Sequence, residues 1–516
     1  MSQKFEGLKL KLDEDLAERL ERLVPSYSGF NILKESIDAR RRHEIHRVLS
    51  VEVFAANEKF VREEFLLEKI NSSGKDKPLI IGAGPAGLFA AIRLVERGIP
   101  CILLERGSEA IKRLNAINRF WRYGELDPDD NVCFGEGGAG LYSDGKLMTR
   151  VKSEYIPYIM RRLVDFGAPP EIEYLANPHV GSDKIRRVIP KLREYLQKNG
   201  CEIYFNSKVT EIMTEKNKVI GVKCGEKVFR SHHIILAQGH SATDMFGHLA
   251  DIGVKLEGKS FALGLRIEHP QSFVNQVQYR NLVDHPKLKS ANYKLAYTDP
   301  DSGTGIYSFC MCPGGYILSS GTDADGIVCN GMSNYHRNSP FANAGIVVSI
   351  DFQKKFKDKT FGGFEFQRDL ERNFKDSVTR AGGTKQLPAQ KALDFMNGKK
   401  GEIGKTSSPS GAIATRLDEL LPKALVQSLR EGLTQFESKM KGFLSPEAQL
   451  HGIESRTSSP IRIPRDPISM ESLSHHGLYP VGEGAGYAGG ITSAAADGIK
   501  AAEAIVRQMA SQAVKA

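Results

Sequence analysis

Residues 78–107, PLIIGAGPAGLFAAIRLVERGIPCILLERG, constrain the fold of this chain more than any other stretch. Leu79-Ile80-Ile81 reads as a buried parallel strand, and Gly82, Gly84 and Gly87 follow it at G-x-G-x-x-G spacing. Leu88 to Arg97 continues as a helix, and Cys101–Leu104 is a second strand ending at Glu105. The first glycine makes a tight turn, the second lets backbone N–H groups approach a pyrophosphate, and the third lets helix and strand pack closely. The helix N-terminus, with free N–H groups and a positive dipole end, favours the anion. A carboxylate at Glu105 accepts ribose hydroxyls and repels a 2′-phosphate. A bare glycine motif is weak, but strand, turn, helix, strand and acid in this order predict a Rossmann-like dinucleotide-binding α/β domain.

A second glycine-rich stretch, GLYPVGEGAGYAGGITSAAADGIKAAEAIV (477–506), separates FAD from NAD, since a simple NAD enzyme has no need of it. Glu483 suits ribityl hydroxyls, and Ile491-Thr492-Ser493 at a helix start suits the flavin N1/C2=O edge, where a positive dipole end stabilises reduced flavin. The plainer alternative is a small-residue helix packed on the sheet. HHIILAQG (232–239) reads as a strand returning to the nucleotide-binding sheet. The expected cofactor-binding residues are Gly82, Ala83, Gly84, Pro85, Ala86, Gly87, Glu105, Arg106, Gly137, Gly138, Val209, Ala237, Gly239, Gly482, Glu483, Gly490 and Ile491. The expected cofactor is FAD, held noncovalently.

At 516 residues the chain exceeds one hydrophobic core, so several domains are expected. We divide it into a small N-terminal α/β module (1–72), a first part of the FAD-binding domain (73–260), an inserted α+β substrate or cap domain (261–450) and a C-terminal part of the FAD-binding domain (451–516). In the module, residues 8–12 and 48–54 read as strands, 13–24 and 58–70 as helices, and 71–77 as a linker. Farther on, 185–200 and 417–433 read as helices, with 201–205 and 345–350 as strands. The seven cysteines are scattered without a CxxC, which suits free thiols in a cytoplasmic setting and argues against a metal site. Apolar runs are far shorter than the ~20 residues of a membrane span. Net charge is +9, yet residues 1–72 balance 13 Lys/Arg against 14 Asp/Glu, so nucleic acid is not an expected partner. Arg40-Arg41-Arg42 is read as a solvated face.

Further segments carry a family resemblance. They are GEGGAGLYSDGK (Gly135–Lys146), Arg266-Ile267-Glu268-His269-Pro270-Gln271, Cys310-Met311-Cys312-Pro313-Gly314-Gly315, Glu454-Ser455-Arg456-Thr457-Ser458-Ser459-Pro460 and the closing GEGAGYAGG. Together they resemble the poorly characterised FAD-dependent dehydrogenases (NAD(P)/FAD-dependent oxidoreductases) within the broad glutathione-reductase-like superfamily. The resemblance covers nearly the whole chain and implies FAD, a cytoplasmic setting and redox chemistry, but no substrate. GEGGAG also fits G-x-G-x-x-G, yet no adequate strand or helix flanks it, so it reads as a loop lying near pyrophosphate and flavin. NADH or NADPH is an expected electron donor without a domain of its own.

Candidates for chemistry are His269 as proton donor or substrate contact, Arg266 as anion contact and Arg456 as binder of an anionic substrate. For the first two, a structural hydrogen bond is the weightier reading. His240 could approach the cofactor; His475-His476 reads as a surface loop. Cys310 and Cys312 share a face of an extended segment, and a packed strand entering a turn outweighs a redox pair. The expected activity is hydride transfer between flavin and a small organic substrate. The alternatives are a flavin monooxygenase and an FAD-binding scaffold acting through the N-terminal module.

Overall fold

The computed structural model describes the chain except residues 1, 41–43, 59, 63, 66, 71–75 and 516, and the side chains of 512–515. Arg41, Arg42 and most of the expected linker lie outside the described residues; Arg40 is paired with Asp38 at 2.6 Å. The first sheet is antiparallel, from β1 (Gln3–Lys11), β2 (Tyr27–Asp38) and β3 (His46–Ala55) in the order β1-β3-β2. Helix α1 (Leu16–Leu23) starts where Asp15 accepts from the Ala17 and Glu18 N–H groups, and buries Leu16 and Leu20 against Leu10, Leu49 and Val51. The free edge of β2, a strand whose weak alternation left it unread, exchanges backbone hydrogen bonds through Glu35 with Tyr174 and Ala176.

No helix forms over 58–70 among the described residues. Its amphipathic pattern serves an extended strap instead: Phe65 packs edge-on against Tyr158, Arg62 pairs with Glu173, and the Ile70 N–H donates to Arg97 O. Tertiary contacts override local propensity here.

The central sheet holds β4 (Leu79–Ile81), β5 (Cys101–Leu104), β6 (Cys201–Tyr204) and β10 (Ile234–Leu236), with a strand from far along the chain, β22 (Leu478–Pro480), at its edge. The order is β22-β10-β4-β5-β6, all parallel, so every strand ends at the same side. Strands this short and apolar suit a sheet covered on both faces. Helix α2 (Pro85–Glu96) and the C-terminal helix Ile491–Lys515 cover one face. They touch so closely that a Cβ on Gly498 would lie 2.0 Å from Ala86 O, which explains the small-residue composition of 491–506. A three-stranded antiparallel sheet, β7 (Glu211–Glu215), β8 (Lys218–Cys224) and β9 (Lys227–Arg230), lies between β6 and β10 in the chain.

The chain leaves through β11 (Glu257–Gly258) and returns through β21 (Ile461–Arg462), which pair antiparallel. Between them β12 (Phe261–Pro270), β13 (Ala296–Thr298), β14 (Gly305–Cys312), β17 (Phe341–Ile350), β18 (Leu387–Lys391), β19 (Ala412–Ala414) and β20 (Gln449–Glu454) form a second sheet, ordered β13-β14-β17-β12-β20-β18-β19. A hairpin of β15 (Gly315–Ser319) and β16 (Cys329–Ser333) accompanies it. Helices Gly362–Arg380 and Lys423–Lys439 pack on this sheet through Phe374, Leu429 and Phe436. The boundary expected at 450/451 falls inside β20, which pairs along its length with β12 and β18. The helix expected over 417–433 divides at Pro422 into Leu417–Leu420 and Lys423–Lys439, with Leu421, the residue before the proline, in an extended conformation that prolines favour there.

Candidate cofactor site and substrate cavity

The loops after β4, β5, β10 and β22 gather at the carboxyl edge of the central sheet, where ligands bind in doubly wound folds. Two glycines of the first loop are dictated by packing. Gly82 has φ +101° and stands where a Cβ would lie 2.5 Å from Ala237 O; a Cβ on Gly87 would lie 1.9 Å from Gly82 O. Gly84 differs: it begins α2 with Pro85 following, and its Cβ position meets nothing nearer than Gly138 Cα at 3.9 Å. Gly239, Gly489 and Gly490 are similarly open. Open backbone at one sheet edge, beside the starts of two helices, is a cradle for an extended anionic dinucleotide.

GEGGAG lies on the first glycine loop. The Gly137 N–H donates to Ala83 O, and a Cβ on Gly138 would meet Gly84 Cα at 2.9 Å. Arg113 shapes it: fully buried, it donates to the carbonyls of Asn131, Val132, Gly135, Glu136 and Gly138. Sequence reasoning passed over Arg113, which looks like one more polar residue of an amphipathic helix. Asp497 was missed for the same reason. It accepts from the Gly482 N–H and pairs with Arg465 at 2.6 Å, fixing the second glycine loop.

The other expected cofactor residues fall as follows. Glu105 is buried, with one oxygen accepting from Ala83 N–H and the other from Gly107 and Gly135 N–H. It therefore ties both loops together, and of about four lone-pair sites one is left for a ribose hydroxyl rather than two or more. Arg106 stacks on Phe134 and pairs with Asp244 and Asp129. Val209 is buried beside Ile212 and Val219, and Ala86 packs on the C-terminal helix. Ile491 is buried on Gly140, and the Thr492 hydroxyl donates to Leu147 O. What this helix start leaves open is thus the backbone of Gly489 and Gly490 and not the side chains expected there.

Glu483 faces His240, with Oε1 3.4 Å from Nδ1. The other ring nitrogen, Nε2, is buried and has no hydrogen-bond partner. His240 lines a cavity of ≈ 250 Å³ together with Phe361, Phe364, Asp323, Glu371 and Arg456. Phe364, Gln367, Arg368 and Glu371 share one face of helix Gly362–Arg380 by their three- and four-residue spacing. Gly363 starts this helix tight against Pro460, where a Cβ would come within 2.7 Å.

The three candidates for chemistry are not brought together. Arg456 reaches the cavity, but its guanidinium is bound by both oxygens of Glu371, at 3.0 and 2.8 Å, and by Thr322. An anionic substrate at this guanidinium would have to compete with Glu371. Arg266 is fully buried, paired with Glu454 at 2.7 Å and bonded to Asn343 and the Cys310 carbonyl. His269 is also fully buried, ringed by Phe273, Tyr293 and Phe443, with Nε2 on the Phe443 carbonyl. Burial pushes its pKa down to about 4. His269 is therefore closed off from solvent and does not line the cavity that His240 and Arg456 share. His475, expected at the surface, is buried and contacts Ser474. Among the described residues no cluster of His, Cys, Asp and Glu could hold a metal ion, and no helix is long and apolar enough to cross a membrane.

Fold and site together define an FAD-binding oxidoreductase of mixed α/β architecture. An FAD binding domain model matches residues 76–117, and the model for "FAD-dependent protein, C-terminal domain-like" matches 260–457. An uncharacterized protein of Clostridium beijerinckii is 38% identical over 533 residues, spanning 98% of this chain and 99% of that protein. The chain belongs to the family of that protein, and its cofactor is FAD. A probable electron transfer flavoprotein-quinone oxidoreductase of Escherichia coli K12, YgcN, is 24% identical over 202 residues, 36% of this chain and 41% of its own length. Among solved structures, a geranylgeranyl bacteriochlorophyll reductase-like protein from Thermoplasma acidophilum aligns at 14% identity and TM-score 0.35, covering 85% of this chain and 82% of that one.

Proposed function

We propose that this protein transfers a hydride between noncovalently held FAD and a small organic substrate admitted to the His240–Arg456 cavity. The observation that carries the reading is His240 itself. It follows the cofactor-edge strand β10, lines a cavity walled by the second domain, and keeps a buried Nε2 without a hydrogen-bond partner. When bound, FAD supplies the two-electron exchange; the chain supplies position and the proton. Glu483 holds the Nδ1–H side of the ring, which leaves Nε2 to take or give a proton inside the cavity. Phe361 and Phe364 supply an apolar wall. With Arg456 bound to Glu371, and Asp323 and Glu365 close by, the cavity suits a neutral, partly apolar substrate better than an anion.

In this reading residues 261–457 form the substrate domain, inserted into a glutathione-reductase-like FAD domain, and residues 1–72 are a docked module. The setting is cytoplasmic, in keeping with seven unpaired cysteines. NADH or NADPH serves as donor where the reaction runs as a reduction.

The test begins with the spectrum of the purified protein, followed by anaerobic titration with NADH and NADPH. Bleaching of the flavin marks a reductase, to be screened with electron-poor alkenes. Oxygen incorporation into product would replace hydride transfer by monooxygenation. A flavin that stays oxidised directs the screen to oxidisable metabolites. His240→Gln should then lower turnover by about 10²–10⁴ while FAD stays bound. Unchanged turnover in that variant would sink the assignment of the cavity.

A further inference from the structure

We propose that Cys310 and Cys312 form a redox-active dithiol that reduces small organic disulfides, with Cys310 attacking and Cys312 resolving. They lie at the end of β14, where the pairing with β17 shifts register between Phe309 and Cys312. Cys310 takes the left-handed conformation in this bulge, with φ +44°, unusual for a residue with a side chain. In a regular strand, alternate residues stand apart along one face; here the bend sets the two thiols side by side. Cys312 Sγ also lies 3.3 Å from the Cys310 carbonyl.

Two cations face the pair. Lys146, from the GEGGAGLYSDGK loop, donates to the Met311 carbonyl between the cysteines, and Arg266 donates to the Cys310 carbonyl. The acids around them are already engaged: Glu454 by Arg266, and Asp144 by Arg337 with Lys146 at 3.9 Å. The Cys312 hydrogen bond, helped by Lys146 and Arg266 against burial and Glu454, lowers the Cys310 thiol to about 6. The Cys312 thiol is pushed up. Exposure divides the same way, since Cys310 is partly exposed and Cys312 buried. A partly exposed cysteine with a lowered thiol pKa beside a buried one with a raised pKa is the asymmetry that thiol–disulfide exchange needs.

The chemistry balances without a further reactant. The Cys310 thiolate attacks one sulfur of the disulfide, breaking its S–S bond and releasing one thiol that takes up the proton Cys310 had lost. Cys312 then gives up its proton and attacks Cys310 Sγ, releasing the second thiol. Two cysteine S–H groups become one S–S bond, and one disulfide becomes two thiols.

The test uses the full-length, FAD-loaded protein with 2-hydroxyethyl disulfide under nitrogen, quenched in acid and mapped by peptide mass. The 310–312 peptide should lose two hydrogens, about 2 Da, without a retained adduct, and two equivalents of 2-mercaptoethanol should appear. Cys312→Ser should trap the mixed disulfide on Cys310, and Cys310→Ser should do neither while keeping its FAD. Alkylation of Cys310 by iodoacetamide should show a midpoint near about 6, moving upward in Cys312→Ser. An unmodified peptide, an adduct that never resolves in the parent protein, or an alkylation midpoint in the ordinary thiol range would overturn the dithiol. Substrate turnover by the flavin enters none of these readouts, so failure here leaves the hydride-transfer reading standing, and the reverse.

Discussion

The carboxyl edge of the central sheet and the wall of the second domain do different jobs with different materials. At the edge, backbone does the recognition: Gly84, Gly239, Gly489 and Gly490 leave space, while Arg113, Glu105 and Asp497 hold the loops around it. In the proposed reading the cavity uses side chains instead: His240, Glu371 and Arg456 line it from elements far apart in the chain. A cofactor common to many reactions can be held by a generic frame of helix starts and loops. A substrate needs side chains chosen for it.

The largest effects should break the edge while sparing the wall. Gly84→Val adds bulk where the nearest atom is 3.9 Å away and φ is an ordinary −76°. The chain should fold with the melting temperature of the flavin-stripped parent, and flavin absorbance should be absent after purification. Gly87→Ala should instead prevent folding, because its Cβ would lie 1.9 Å from Gly82 O. Bound flavin in Gly84→Val would show that the open path runs elsewhere. Arg113→Met ranks next. It removes the donor that satisfies five carbonyls, and should cost about 3–5 kcal/mol in urea unfolding together with most of the FAD affinity. Loss of stability with FAD affinity intact would separate the GEGGAG loop from the cofactor.

This contrast also decides what can be read from sequence. Gly82 and Gly87 are legible because their constraints are backbone ones, set by local spacing within one strand–turn–helix unit; Glu105 was read for a ribose, and its carboxylate holds three backbone N–H groups. Arg113 was illegible although it lies in the same domain: its partners are backbone carbonyls, and a carbonyl has no residue type to notice. Arg456 drew attention as a charged residue in a distinctive turn, but its charge is answered by Glu371, 85 residues earlier, and sequence carries no sign of that pairing. His240 was noticed only as the residue after a strand. Its place between Glu483 and the cavity depends on β22 lying beside β10, a neighbour relation set by the whole sheet.

Glu371→Gln should sharpen the comparison from the other side. It leaves the Arg456 guanidinium with Asp323, 3.5 Å away, as its remaining counter-ion. Removing one partner of a buried ion pair typically costs 3–5 kcal/mol; with Asp323 still present, a loss of about 3 kcal/mol is expected. FAD content should not change, since the cavity wall is distinct from the cradle. Lost flavin with modest destabilisation would mean that the two regions are one site.

A smaller effect should appear as pH dependence inside the second domain. His269 is held near about 4 by burial, whereas in the unfolded chain it titrates near 6.5. Between those values the unfolded state binds more protons, so stability rises with pH through that window and is lost on acidification from neutrality toward pH 4. The shift corresponds to about 3–4 kcal/mol. Gln cannot take up the proton, yet it can donate to the Phe443 carbonyl that His269 Nε2 contacts. His269→Gln should therefore flatten the urea-unfolding stability between pH 6.5 and 4 by about that amount, at a modest cost at pH 7. Some slope will remain, because burial and Arg337 also lower His179 to about 4. An unaltered slope would mean that His269 is protonated as readily folded as unfolded, and that water reaches the aromatic ring around it.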